Sequence, residues 1–122
     1  LHVLLQELNS EIKLFVMFSS VASSYGNRGQ TDYASANSVF DLIAPVLKDK
    51  LNARILTVNW GPWKGTGMVS DSLEAEFKKR GVSLISLETG ARYFVNELKY
   101  GNETNVLVMG GTADVKNALK LV

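Results

Sequence analysis

Hydrophobic positions along this chain follow two different periods. Leu14–Phe18 (LFVMF) is a short unbroken apolar run that ends in Ser19-Ser20. A run of this length without polar alternation predicts a strand buried on both faces, as in a parallel sheet. Arg54–Trp60 (RILTVNW) and Asn105–Met109 (NVLVM) predict a second and a third strand. Between them the spacing is helical. Leu1, Leu4, Leu5 and Leu8 share one face, and Ala36, Phe40, Ile43 and Leu47 share another over Tyr33–Lys50. Asp32 or Thr31 is placed to cap that second helix, and Pro45 predicts a bend or an early stop. Asp71–Arg80 predicts a further helix, with Asp71 and Glu74 at capping-box spacing, Leu73 facing Phe77 and Gly81 as its stop. Glu88–Tyr100 predicts another, with Ala91, Phe94 and Leu98 on one face and Gly101 after it. Asp114–Leu121 fits one more. Ser23–Thr31 and Gly61–Met68 read as loops. Strands alternating with helices predict an α/β fold with parallel βαβ units.

Composition narrows the function classes. The 122 residues suit one domain, with 46% hydrophobic and 20% charged residues. Thirteen basic and twelve acidic residues leave a formal charge of +1, which makes no case for nucleic acid or an anionic membrane. With no cysteine and a single histidine, His2, thiolate metal sites, disulfides and a Ser-His-Asp triad are all disfavoured, and no metal is expected. A reducing cytosol is compatible with that composition. No apolar run approaches the roughly 20 residues of a membrane span.

The chemistry-bearing stretch is Phe18–Phe40. Ser20 ends a buried strand, where open α/β sheets place their ligands. Tyr33 follows thirteen residues later at the start of a helix, and Asn37 lies one turn further on the same face. The intervening loop is long enough to bring the two hydroxyls together. A serine and tyrosine pair suits carbonyl reduction: tyrosine protonates the oxygen as hydride reaches carbon, and serine hydrogen-bonds the same oxygen. Ser19 competes with Ser20, and the spacing to Tyr33 favours Ser20. Trp60 and Trp63 fit substrate contact and core packing equally well. Lys78-Lys79-Arg80 reads as a solvated helix end favoured by the helix dipole.

FSSVASSYGNRGQTDYASAN and NWGPWKGTGM, in this order and at this separation, resemble the two blocks of the ketoreductase domains of polyketide synthases and polyunsaturated-fatty-acid synthases. These form a branch of the short-chain dehydrogenase/reductases. The superfamily's usual Tyr-x-x-x-Lys is Tyr33-Ala34-Ser35-Ala36-Asn37 here, which is the branch's own Tyr-x-x-x-Asn. The resemblance covers about residues 1–110. It implies that Tyr33 donates the proton, Ser20 orients the ketone and Asn37 supports the proton relay. The family's lysine would lie upstream of Leu1, and Lys13 is not given that role. Asn59, Gly61 and Pro62 would touch the nicotinamide end of NADPH. A flexible lid would follow Gly65, with Met68 at the substrate entrance. Tyr25 would lie in the region that sets stereochemistry.

No G-x-G-x-x-G occurs in the sequence, and Gly61, Gly65 and Gly67 have the wrong spacing for one. The resemblance therefore implies a C-terminal, active-site portion, residues 1–122, of a ketoreductase domain whose N-terminal cofactor-binding portion is absent. Its expected fold is an incomplete Rossmann-like sheet of three parallel strands with flanking helices. These would be the last three of the family order 3-2-1-4-5-6-7. The bare edge would pair with the missing half or with a second copy. The parent would reduce a β-ketoacyl thioester on the phosphopantetheine arm of an acyl carrier protein, within a large cytoplasmic multienzyme, and this chain alone would be inactive. Two other readings stay open: a free-standing short-chain reductase of a small ketone, and a non-catalytic Rossmann-like interaction module.

Overall fold

The computed structural model describes residues 3, 7, 11–26, 29–65, 69–79 and 81–111, with the side chains of Leu73 and Glu76 outside that description. Three strands, β1 (Leu14–Ser20), β2 (Arg54–Trp60) and β3 (Asn105–Val108), form one parallel sheet in the order β1-β2-β3. With them, among the described residues, run the helices α1 (Val21–Tyr25), α2 (Thr31–Lys50), α3 (Asp71–Lys79) and α4 (Leu87–Tyr100). Val3 and Glu7 are also helical, and the apolar positions of the helix expected over Leu1–Leu8, with His2, lie outside the described residues. So does the helix expected over Asp114–Leu121.

β2 is the middle strand, and every residue in it except Arg54 is buried. A strand covered on both faces needs a continuous apolar sequence, and RILTVNW supplies one apart from Thr57 and Asn59. The described residues fall into two compact units. One runs up to Asn59 and includes Glu103–Val106; the other holds Trp60–Asn102 and Leu107 onward. The core of the first is Met17, Ala44, Leu47, Leu51 and Ile55, with Phe15, Phe40 and Ile43 packed against it. Of the stripe read from the sequence, Phe40, Ile43 and Leu47 cover β1 and β2 residues, whereas Ala36, its first member, is exposed. In the second unit Trp60, Val82, Ile85 and Val108 are buried.

Several expectations are corrected. α2 begins at Thr31, and its N-cap is Gln30 without a side-chain cap bond; Thr31 and Asp32 are the first helical residues. Asp32 favours the helix through its charge in the first turn instead. Pro45 neither ends nor divides the helix, which continues to Lys50. The loop expected from Ser23 begins later, because Val21–Tyr25 is a helix of five residues. It forms because Ser20 caps it, accepting from the Ala22 N–H at 3.2 Å, and because Gly26 ends it at φ 75°.

In the second unit α3 starts at Asp71, so Asp71 is a first-turn residue with Glu74, while Leu73 lies outside the described side chains. Gly81, at φ 72°, stops α3 as expected. Its N–H reaches the Lys78 carbonyl at 3.1 Å and the Val82 N–H reaches Phe77 at 2.9 Å, the paired bonds of a Schellman end. Ser86 caps α4 by accepting from the Thr89 N–H at 3.2 Å. Residues 62–64 pair with Ile85 through Ile85 N–H to Pro62 O at 2.8 Å and Lys64 N–H to Ile85 O at 2.9 Å. Periodicity cannot reveal bridges of one residue.

Trp60 and Trp63 both pack. Their ring centroids are 4.7 Å apart and tilted by 57°, and Phe94 lies 6.5 Å from Trp60. Gly90 lets α4 approach this cluster, since a β-carbon there would overlap the outer edge of the Trp63 ring. Gly90→Ala is expected to destabilise by about 1–3 kcal/mol, the usual cost of overpacking a filled site. Denaturant unfolding measures it through a lower midpoint at unchanged slope.

Candidate functional site

The end of β1 and the first two turns of α2 carry the three residues expected to act on a ketone. Ser19 and Ser20, adjacent on a strand, point to opposite sides. Ser19 is buried, and its Oγ donates to the Asn37 main-chain oxygen at 3.2 Å. It is thereby committed to joining β1 to α2. Ser20 is half-buried, and its Oγ accepts the Ala22 N–H. A hydroxyl that accepts one bond keeps its own proton for donation.

Tyr33 is 40% exposed, in the first turn of α2. Asn37 Nδ2 donates to the Tyr33 main-chain oxygen at 2.9 Å, so this amide is tied to the turn that bears the tyrosine. Tyr25, the last residue of α1, is 39% exposed. Met68 lies outside the described residues.

Asn59 does not offer its side chain to a ligand. It is 1% exposed and held by three side chains. Its Nδ2 donates to Asp41 Oδ1 at 3.0 Å and to Asn105 Oδ1 at 2.7 Å, while its Oδ1 accepts from Ser23 Oγ at 2.8 Å. Asn105 Nδ2 also donates to Asp41 Oδ1 at 2.7 Å, and Asp41 Oδ2 lies 2.5 Å from Ser23 Oγ, whose single proton is shared between it and Asn59 Oδ1. A polar residue in a buried strand must find such partners, because an unmet amide is costly there. Sequence reading missed Ser23, Asp41 and Asn105. The available signal was Asn59 itself, polar within an otherwise apolar strand, and Asp41, which repeats the four-residue spacing of Tyr33 and Asn37.

Gly61 and Pro62 lie in the second unit. The Gly61 N–H donates to the Val108 oxygen at 2.7 Å, and a β-carbon at Gly61 would stand 2.9 Å from Met109 Sδ. Pro62 O accepts from Ile85. The Gly61 N–H and the Pro62 carbonyl are thus engaged within the protein. Ser20 Oγ and the Tyr33 phenol are hydroxyls of the kind that the proton half of a ketone reduction uses. Among the described residues no cluster of metal-ligating side chains occurs, and no helix is long and apolar enough to cross a membrane.

The second unit also has a groove of about 260 Å³, lined in part by Leu84, Ser86, Thr89, Tyr93 and Met109. None of the residues expected to act on a ketone lines it. Burial, with the Glu97 carboxylate adding to it, raises the Tyr93 phenol above the ordinary tyrosine range.

Comparison with known proteins agrees with the two sequence blocks. A polyunsaturated fatty acid synthase component from Thraustochytrium sp. is 39% identical over 82 residues, 67% of this chain and 3% of that protein. Polyketide synthase PksN of Bacillus subtilis is 34% identical over 112 residues, 85% of this chain and 2% of its own length. The chain thus spans a few hundredths of these relatives. Among solved structures, PlmKR1, the ketoreductase from the first module of phoslactomycin biosynthesis in Streptomyces sp. HK803, superposes with a TM-score of 0.77 at 30% identity. That superposition covers 90% of this chain and 25% of the other. A ketoreductase domain from the bacillaene assembly line gives 0.73 at 29% identity, covering 88% of this chain and 27% of that one. The model of the KR domain matches residues 1–65, more than half of the chain, which therefore belongs to the ketoreductase domain family of polyketide and polyunsaturated-fatty-acid synthases.

Proposed function

We propose that this chain is the active-site portion of a domain that reduces a β-ketoacyl thioester to the β-hydroxyacyl thioester with NADPH. The substrate hangs on an acyl carrier protein, and the parent is a cytoplasmic multienzyme making a polyketide or a fatty acid. The observation that carries this reading is the pairing of β1 and α2. The Ser19 bond to the Asn37 main chain fixes the strand end bearing Ser20 against the helix bearing Tyr33.

A reduced nicotinamide, when bound, supplies the hydride. The oxygen of the ketone then gains negative charge. Tyr33 transfers its phenolic proton to that oxygen, and Ser20 donates a hydrogen bond to it. The Ala22 N–H on Ser20 Oγ orients the hydroxyl and polarises it for donation. Asn37 holds the first turn of α2, and with it Tyr33, through the Tyr33 carbonyl. Tyr25 and Met68 contact the substrate. The cation that stabilises the tyrosinate, and most of the dinucleotide site, come from a partner segment completing the sheet beyond β1, or β1 pairs there with a second copy. The absence of a glycine fingerprint from the chain supports this division, and it makes the isolated chain inactive.

Ser20→Ala in the parent protein is expected to lower kcat by about 10²–10³-fold, the loss typical of one oxyanion donor. NADPH oxidation against a β-ketoacyl thioester mimic measures it. An unchanged rate would remove Ser20 from the mechanism.

A further inference from the structure

We propose that Asp41 is the positioning residue for Ser20 and Tyr33, and this rests on the ketoreductase reading above. Asp41 touches no reacting atom. It lies on α2, eight residues beyond Tyr33, or roughly 12 Å along the helix. Its carboxylate gathers the surrounding elements onto that helix. Oδ2 accepts from Ser23 of α1, and Oδ1 accepts from Asn59 of β2 and Asn105 of β3.

The link to Ser20 is short. Ser23 is three residues after Ser20, in the helix that Ser20 caps. Ser38 Oγ lies 3.2 Å from the Ser23 main-chain oxygen and 2.8 Å from that of Ala34. Ser19, on the other side of Ser20, bonds the Asn37 carbonyl. Ser20 is therefore held from both sides by Asn37, Ser38 and Asp41, neighbours on one face of α2. That face begins with Tyr33. The register of serine against tyrosine is set by these bonds, and of the three helix residues Asp41 alone also engages β2 and β3.

The device is geometric and does not need the charge. An exposed tyrosine about two turns away is largely screened from a carboxylate. An asparagine at 41 keeps every link: its oxygen accepts from Asn59 and Asn105, and its amide donates to Ser23 Oγ. The Ser23 proton then goes to Asn59 Oδ1, already 2.8 Å away. An alanine loses all of them.

The test uses the full parent protein, NADPH and a β-ketoacyl thioester mimic, with circular dichroism to check folding. Asp41→Ala is expected to lower kcat by about 10–100-fold, because small misplacements of reacting groups have effects of that size. KM should stay within about twofold. Asp41→Asn should keep kcat within about threefold of the wild type, and Ser23→Ala, which cuts the Asp41 bond to α1 and also takes a donor from Asn59 Oδ1, should fall between the two. Full activity in folded Asp41→Ala would overturn the proposal. So would an Asp41→Asn variant as slow as Asp41→Ala, or a defect confined to KM. If Asp41→Ala does not fold, Ser23→Ala decides, and an unchanged kcat there overturns the proposal. Tyr33→Phe runs alongside: if it stays active, the ketoreductase reading itself fails, whatever Asp41 does.

Discussion

Tyr33→Phe is expected to lower ketone reduction by about 10²–10⁴-fold, the usual contribution of a positioned general acid. The substitution removes one hydroxyl and keeps the ring. Tyr33 is 40% exposed in the first turn of α2, so no core contact is lost. The bond from Asn37 goes to the main-chain oxygen of Tyr33 and survives the change. Folding should therefore be unaffected. The proton is needed only as charge develops on the ketone oxygen, so kcat and kcat/KM should fall together. The residual rate would reflect Ser20, whose hydroxyl still donates to the oxygen. Steady-state NADPH oxidation by the parent protein measures both constants. A Tyr33→Phe enzyme that keeps kcat and loses only KM would make this residue a binding contact.

Asn59→Leu is expected to destabilise the protein by about 1–3 kcal/mol. The two side chains are similar in size, so little cavity is created. The loss is polar. Asn105 Oδ1 and Asp41 Oδ1 each lose a donor, and Ser23 loses one of its two acceptors. Asn105 is exposed, so water replaces the donor its Oδ1 loses, and the cost falls on the half-buried Asp41, at about 1–3 kcal/mol for an acceptor that loses its partner. Asp41 keeps the Asn105 amide and the Ser23 hydroxyl, which limits its share. Against a total stability of about 5–15 kcal/mol the change is large. Urea unfolding of the parent's ketoreductase domain would report it as a lower midpoint. A shift below about 0.5 kcal/mol, the range of ordinary surface substitutions, would show that the network does not stabilise the fold.

The fold was legible wherever burial imposes a period. β2 occupies Arg54–Trp60 as its apolar run predicts, and the Phe40, Ile43 and Leu47 stripe packs on the core. Gly81 ends α3 because a left-handed residue is required there. What escaped was set by contacts remote in sequence or by elements shorter than one period. α1 has five residues, too few for a helical pattern, and depends on a serine cap that reads equally well as a strand end. The cap of α2 was misplaced because Thr31 and Asp32 both suit the role by type, while the chain turns one residue earlier at Gln30.

The site divides in the same way. Ser20, Tyr33 and Asn37 can be proposed from the sequence because the chemistry expected of them sits within one short block. The resemblance implies a cofactor contact at Asn59, while its side-chain partners Asp41 and Asn105 lie 18 and 46 residues away in sequence. No local pattern joins three such positions. Trp60 and Trp63 fit either role by residue type; Trp60 is buried with its ring tilted against Phe94 and Trp63, while Trp63 is half-buried.

The most direct measurement follows the hydrogen. The parent protein is supplied with NADPH deuterated at the transferable C4 position and a β-ketoacyl thioester mimic, and the product is weighed by mass spectrometry. The expected product is the β-hydroxy thioester carrying one deuterium on carbon, formed by the wild type and lost in Tyr33→Phe. A β-hydroxy product without deuterium, or deuterated product formed equally well by Tyr33→Phe, would contradict the assignment of this chain as the catalytic portion of a ketoreductase.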